Sequence, residues 1–436
     1  MTGQSGDRRR ARQLKGWYLM RFALACYGTR GDVEPSVSIG RELQRRGHDV
    51  QLAVPPELVG FADGAGLSAV EYGPELHAFL REDFLRNFWT QIFRNPIGSL
   101  RELWQPINAY WNETSATLMK VADGADLLST GLNFEQPAAN IAEYYGIPLI
   151  GLHHFPMRPN GQLVPMLPAQ LIRSGGTATE WLLWRFTKDV DDAQRKELGL
   201  PSATGPSPRR IAERGWLEIQ AYDEVSVPGL AAEWARWNGQ RPFVGALTMG
   251  LTTDSDDEVM SWIAAGAPPI CFATGSIPVE SPVETLDMIS AACAQLGERA
   301  LVCAGGTDFS GVRIPDHVKV VGVVNYAKVF SASRVIVHHG GSGTTAASLR
   351  AGVPTLILWS SADQPYWGNQ LKRLKVGTAR RVSKTTPQTL TTDLRRILAP
   401  DYRTRARALA TRMTDPAESV ARAADLFEDA VRRNAR

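Results

Sequence analysis

The sequence predicts an α/β protein made of two doubly wound, Rossmann-like domains, and three observations carry that prediction. Short apolar runs alternate with helix-length amphipathic stretches along most of the chain, and the alternation restarts after residue 240. At 436 residues the chain is also too long for one core, since domains take about 100–200 residues each. Alternating strands and helices mean parallel sheets covered on both faces. Right-handed crossovers then place every strand's C-terminal end, and the loop after it, on one edge.

The first series is RFALAC (21–26), DVQLAV (49–54), DLLST (126–130) and PLIGL (148–152), each run followed by a helix-length segment. The second is PPICFA (268–273), RALVCA (299–304), VKVVG (318–322), RVIVHH (334–339) and TLILW (355–359). These give domains over 20–238 and 239–414, with a linker near 233–243. They are expected to face each other across a cleft at their strand-end edges. The stretch 415–436 opens with Asp415, Pro416 and Ser419 and reads as a helix free to pack back on the first domain. Residues 1–19 carry Arg8, Arg9, Arg10, Arg12 and Lys15 against Asp7 and read as a disordered basic extension.

Forty-eight basic residues stand against 45 acidic ones, and the N-terminal cluster accounts for the excess. The rest of the chain is close to neutral, which excludes a body built as a nucleic-acid-binding surface. Cys26, Cys271, Cys293 and Cys303 have no zinc spacing and read as buried thiols of a reducing compartment. No apolar run approaches the ~18–20 residues of a membrane span. A cytoplasmic protein is expected, with peripheral contact at the inner membrane face left open.

The richest loop is RVIVHHGGSGTTAASLRAGVP (334–354). A strand ends at His338 and His339, glycines follow, and a helix starts near Thr344. Gly341 and Gly343 let the backbone approach a ligand. The free N–H groups and positive dipole end of the helix make an anion site, with Thr344 and Thr345 adding hydroxyls. His339 can donate to a phosphate oxygen beside it, whereas His338 reads as a structural strand-end histidine. The same turn matches a GxGxxA dinucleotide fingerprint with Asp363 downstream, which raises an NAD(P)-dependent oxidoreductase as a rival. Against that, the turn lies in the fourth strand–helix unit of its series and does not open a domain.

In SSADQPYWGNQ (360–370), Asp363 and Gln364 offer acceptors and donors in one plane, which suits a sugar's vicinal hydroxyls; a helix N-cap is the plainer reading of Asp363. FATGSIP (272–278) brings Thr274, Gly275 and Ser276 to the same edge. In the first domain, Gly28-Thr29-Arg30-Gly31-Asp32 follows the first strand. Asp32 is the only acid in that loop, and it reads either as a helix cap or as a general base. Residues 77–111 are rich in aromatics, with Phe84 and Phe88 on one helical face and Trp89 beside them. They would either pack on the sheet or form an apolar acceptor pocket.

Together these elements resemble the two-domain GT-B nucleotide-sugar glycosyltransferases of family one, in particular the vancomycin-type antibiotic, sterol and mycobacterial glycopeptidolipid glycosyltransferases. The motifs GTRGDVEP, VNYAKVF…VIVHHGGSGTT…AGVP and ADQPYWGNQ carry the likeness, in that order, over about 20–415. The likeness is loose over 75–240. It implies an acceptor-binding N-terminal domain and a donor-binding C-terminal domain. Asp32 stands where much of the family has a histidine base, as in the antibiotic branch, and is expected to act without a histidine–aspartate dyad.

The resemblance further implies that His339, Gly341, Gly343, Thr344, Thr345, Ser276 and Thr29 contact the donor diphosphate. Asp363 and Gln364 would hold the donor sugar, and Val324 and Asn325 would meet the base. The donor is a UDP- or dTDP-sugar, undecided because the plant-type Trp-Pro-Gln platform and ribose-binding acid are absent. The acceptor is a hydrophobic hydroxyl compound, met by Phe84, Phe88 and Trp89. No cofactor and no metal are expected, since no DxD-type pair lies near the cleft, and configuration should invert. Two further rivals are a sugar-nucleotide epimerase of similar architecture and a non-catalytic lipid- or nucleotide-binding protein.

Overall fold

The structure, a computed structural model, describes residues 19–76, 108–163, 167–250, 253–275, 279, 281–360 and 363–436. The expectations for Phe84, Phe88, Trp89, Ser276 and the basic extension 1–18 lie outside the described residues. Contacts divide the chain into two units. One holds Met1–Ala221, Gly229–Leu247 and Pro416–Arg436; the other holds Tyr222–Pro228 and Thr248–Asp415. The chain therefore passes between them four times.

Each unit contains a six-stranded parallel sheet. The strands of the first are β1 (Arg21–Ala25), β2 (Asp49–Val54), β3 (Ala69–Glu71), β4 (Leu127–Thr130), β5 (Leu149–His153) and β6 (Leu217–Gln220), in the order β3-β2-β1-β4-β5-β6. The second contains β7 (Ile270–Ala273), β8 (Ala300–Cys303), β9 (Val318–Val321), β10 (Val335–His338), β11 (Thr355–Trp359) and β12 (Gly377–Arg381), ordered β12-β11-β10-β7-β8-β9. Both orders are the doubly wound pattern in which the first and fourth strands of a series lie side by side. The crevice for a ligand falls at that switch point, above the C-terminal strand ends. In the first unit it lies above β1 and β4, in the second above β7 and β10. Eight of the nine apolar runs contain one of these strands, and the run 148–152 covers β5 except for His153.

The helices that place the functional residues are α1 (Arg30–Arg45), α2 (Glu135–Tyr145), α3 (Ala169–Glu197), α4 (Tyr326–Ser331), α5 (Ser342–Arg350), α6 (Gln364–Leu374) and α7 (Pro416–Asn434). The strands are apolar on both sides because helices cover both faces. Phe22, Leu24 and Leu52 in one sheet, and Ile270, Leu301, Ile336 and Leu356 in the other, are wholly buried.

Between α2 and β6 the first unit buries an ionic cluster. Arg158 bonds both Glu218 and Glu135 (2.6 Å to the latter), and Arg241 donates to Glu218 at 2.7 Å. Burial alone would raise the Glu135 carboxyl, but Arg158 and His153 beside it bring it down to about 2. Glu135, His153 and Glu218 are spaced as metal ligands could be. Two guanidiniums already neutralise the carboxylates, so the cluster is a structural clamp.

The last helix packs on α1. Arg46, just past the end of α1, donates to Asp425 at 2.7 Å and to Glu428 at 3.2 Å, and His48 lies 3.1 Å from Glu428. Phe427 is fully buried with its ring 6.1 Å from that of Phe22. The rear of α1 is thus fixed by the chain's final segment while its front carries Asp32. Phe427→Ala should lower stability by about 3–5 kcal/mol through the cavity it leaves, read as a lower urea midpoint.

Candidate active site

In the first unit, β1 runs into Tyr27, Gly28 and Thr29, and Thr29 is the N-cap of α1. Asp32 lies in the first turn of α1. Its Oδ2 accepts from the backbone N–H of Thr29 at 2.7 Å and from the Thr29 hydroxyl at 3.0 Å. Gly28 has φ +145°, and a Cβ there would lie 2.3 Å from Asp32 Oδ2. Only glycine leaves room for the carboxylate to fold back. The capping and the chemical readings of Asp32 are therefore compatible, because one oxygen caps the helix and the other is left for a second partner.

That other oxygen, Oδ1, lies 3.2 Å from Nε2 of His154. His154 is the residue just past β5, and sequence reasoning missed it. The expectation of an aspartate without a histidine partner gives way to a pair drawn from two strand ends. Two strands separate in sequence reach the same edge, and Asp32 and His154 line one pocket there with Cys26, Tyr27, Pro35, Ser36, Gly131, Leu132, Leu152 and Ala221. The signal available was the tandem His153-His154 at a strand end, the same pattern as His338-His339. In each tandem the leading histidine is buried and the one after it is partly exposed.

The pocket lining is evenly polar and apolar, and its Tyr27 is held by aromatic neighbours behind it. Tyr27 stacks edge-on against Tyr72 and Phe134, and its hydroxyl donates to Pro74 O at 3.1 Å. Asn133 donates to Tyr27 O at 3.1 Å and holds the end of β1. Burial pushes the Cys26 thiol up to about 12, which leaves it chemically inert.

In the second unit, β10 ends at His338 and the glycine turn leads into α5. Ser342, Gly343 and Thr344 present N–H groups of the first helical turn, which no residue within the helix accepts. Thr345 instead closes the turn, its hydroxyl donating to Gly341 O at 2.9 Å. His339 sits between two glycines. A Cβ on Gly275 would be 2.8 Å from its Nδ1, and one on Gly341 would be 2.6 Å from its Nε2. Gly275 also has φ +88°. The imidazole is wedged against backbone from both switch-point strands, and its Nδ1 is buried with no partner among the described residues. Burial lowers its pKa, so it is a neutral ring.

His338 plays a different part. Its Nδ1 accepts from the Gly340 N–H at 2.9 Å and fixes the turn. Thr274 at the end of β7 donates to Ala304 O at 2.7 Å and ties neighbouring loops together. Asn325 caps α4, its Oδ1 accepting from the Ala327 N–H at 2.9 Å, while its own N–H donates to Asp256. Val324 beside it is buried. Asp363 stands at the start of α6 and accepts from Trp367 Nε1 at 3.0 Å. Gln364 Oε1 accepts from the Ser360 N–H at 2.8 Å. His339, Gly341, Gly343, Thr344, Asp363 and Gln364 therefore share one sheet edge, in loops after neighbouring strands β10 and β11. Thr29 lies in the other unit, with its hydroxyl donated to Asp32.

Comparison with known proteins supplies the class and the family. Residues 22–119 match the glycosyltransferase family 28 N-terminal domain, and residues 279–426 match the erythromycin biosynthesis protein CIII-like C-terminal domain. An uncharacterised glycosyltransferase of Mycobacterium tuberculosis is 59% identical over 417 residues, 95% of this chain and all of its own length. A sterol 3-beta-glucosyltransferase of Arabidopsis thaliana is 25% identical over 94% of this chain and 68% of its own. Among solved structures, the calicheamicin glycosyltransferase CalG4 has a TM-score of 0.68 at 18% identity, covering 96% of this chain and 99% of that one. The glycosyltransferase VinC, in complex with dTDP, has a TM-score of 0.65 at 17% identity, covering 95% and 100%. The chain belongs to the family-one GT-B glycosyltransferases. Among the described residues no helix is long and apolar enough to cross a membrane.

Burial, with His339 beside it, holds His338 well below its usual 6.5. The unfolded chain therefore takes up a proton at that position that the folded chain refuses, and stability falls as pH drops below about 6.5. His338→Asn, which keeps an acceptor for Gly340, should show a smaller loss of stability between pH 7 and pH 5.5, measured by urea unfolding.

Proposed function

We propose that the protein is an inverting, metal-independent glycosyltransferase that moves a sugar from a UDP- or dTDP-sugar to a hydroxyl of a hydrophobic acceptor. The observation that carries this reading is the Asp32–His154 pair at 3.2 Å, set in a pocket of mixed polar and apolar lining at the strand-end edge. An acceptor hydroxyl entering the pocket gives its proton to this pair and attacks the anomeric carbon from the face opposite the leaving group. The bond from that carbon to the diphosphate oxygen breaks, and the nucleoside diphosphate takes the electron pair. Its charge is met by the N–H groups opening α5, by the neutral imidazole of His339 and by the Thr344 hydroxyl. Asp363 and Gln364 hold the sugar hydroxyls, and Val324 and Asn325 meet the base.

The donor class is supported by the neighbour in complex with dTDP, and an apolar acceptor by the relative named as a sterol glucosyltransferase. The acceptor half is where the two readings of 77–111 meet, and an aromatic acceptor wall including Phe84, Phe88 and Trp89 fits the chemistry. The same apolar acceptor, together with Arg81, Arg86, Arg94 and Arg101 within the aromatic stretch 77–111, supports a place at the inner membrane face without a membrane span.

A thermal-shift screen of UDP-, dTDP- and GDP-sugars against NAD and NADP tests the donor. A ligand at 100 times its dissociation constant stabilises by about 2.7 kcal/mol. A shift with UDP- or dTDP-sugars alone is expected; a shift with dinucleotides alone would overturn the reading. Asp32→Asn should cut turnover by roughly 10²–10⁴-fold with donor affinity nearly unchanged. His154→Gln should lose at least about tenfold in turnover, again with donor affinity retained. Both losses are read by following nucleoside diphosphate release.

A further inference from the structure

Arg350 ends α5, the helix whose first turn carries the anion site. Its side chain is 13% exposed. Three segments far apart in sequence hold it. Nε donates to Thr414 O at 2.9 Å, Nη1 donates to Thr248 Oγ1 at 3.1 Å, and Nη2 lies 3.7 Å from Asp223 Oδ2. Asp223 is 2% exposed and accepts from the Thr414 N–H at 2.6 Å, so the ring of contacts closes on itself. Burial pulls the guanidinium down, and Asp223 and Asp415 oppose that pull.

The three segments have one property in common. Asp223 lies just after the passage at 221/222, Thr248 opens the segment after 247/248, and Thr414 lies just before the passage at 415/416. Arg350 thus gathers three of the places where the chain leaves this unit. Thr248 has a further neighbour: a Cβ added to Gly343 would lie 4.0 Å from its Cγ2. Thr248 therefore stands beside the phosphate turn with its methyl, at a distance a single added methyl on Gly343 would bridge, and bonds Arg350 with its hydroxyl. A planar guanidinium satisfies three partners only in one geometry, and a lysine ammonium cannot reproduce that fork. A buried charge left without partners is costly, so the arrangement is rigid.

We infer that Arg350 is a positioning residue, which references the exits of the chain to the phosphate turn so that occupancy of the donor site is felt at those exits. Its consequence for turnover rests on the donor reading above, whereas its hold on the three segments does not. Arg350 acts through Thr248, Asp223 and Thr414.

Hydrogen exchange on the full chain tests this, with dTDP and UDP as probes, on wild type, Arg350→Gln and Arg350→Lys. Without nucleotide, amides in 222–228, 248–250 and 412–416 should exchange about tenfold faster in Arg350→Gln, with 339–345 unchanged. With nucleotide, wild type should gain protection at both the turn and the three segments, Arg350→Gln at the turn alone, and Arg350→Lys in between. Dissociation constants for dTDP and UDP should stay within about threefold while turnover falls at least about tenfold. Wild-type exchange at the three segments in Arg350→Gln would overturn the inference, as would a uniform loss of protection throughout the unit. If neither nucleotide protects the wild-type turn, the donor reading falls, and the nucleotide-free comparison still decides on Arg350.

Discussion

A crossover between parallel strands must carry the chain back over the sheet, and it does so with one hand, so every loop that follows a strand emerges on the same edge. Both sheets obey this with the same doubly wound order. The candidate site residues among the described ones sit on those two edges. The loop after β1 carries Asp32, the residue after β5 is His154, and the loops after β7, β10 and β11 carry Gly275, His339 and Asp363. Strand pairing creates the switch point, and the site residues are those whose backbones it brings to the surface there.

At each edge, a helix start is used for a different sign of charge. The front of α1 binds its own carboxylate, because Asp32 folds back on Thr29 and Gly28 leaves it the room. The front of α5 has glycines and no acid in its first turn, so its N–H groups stay available to an external anion. A neutral histidine suits that anion site. The imidazole of His339 is packed against the backbone at Gly275 and Gly341 and can donate to a phosphate without carrying charge into a buried place. His338 secures the same turn from below by accepting from Gly340.

Structural clamps stand behind both edges. In the first unit, Arg158 and Arg241 hold Glu135 and Glu218, which fixes the base of α2 and the end of β6 beside β5. The cluster explains why β6, with the sequence LEIQ, is fully buried despite a glutamate. The last helix grips α1 through Arg46, His48 and Phe427. In the second unit, Arg350 plays the corresponding part behind the phosphate turn.

The alternation of apolar runs was enough to establish the parallel architecture, since central strands buried on both faces are continuously hydrophobic and leave a clear trace. The glycine turn and the acid after β1 were equally legible, because tight turns and open helix starts require particular residue types locally. The edge strands β3, β6 and β12 left no such trace. They are short or polar, and their place depends on a neighbour. Folding in three dimensions was needed to bring His154 to Asp32, to neutralise Glu218 with two arginines, and to join Arg350 to Asp223, Thr248 and Thr414. Each of these joins residues between 23 and 191 positions apart or gathers several at once, and local sequence holds no record of which distant strand ends a sheet will place side by side.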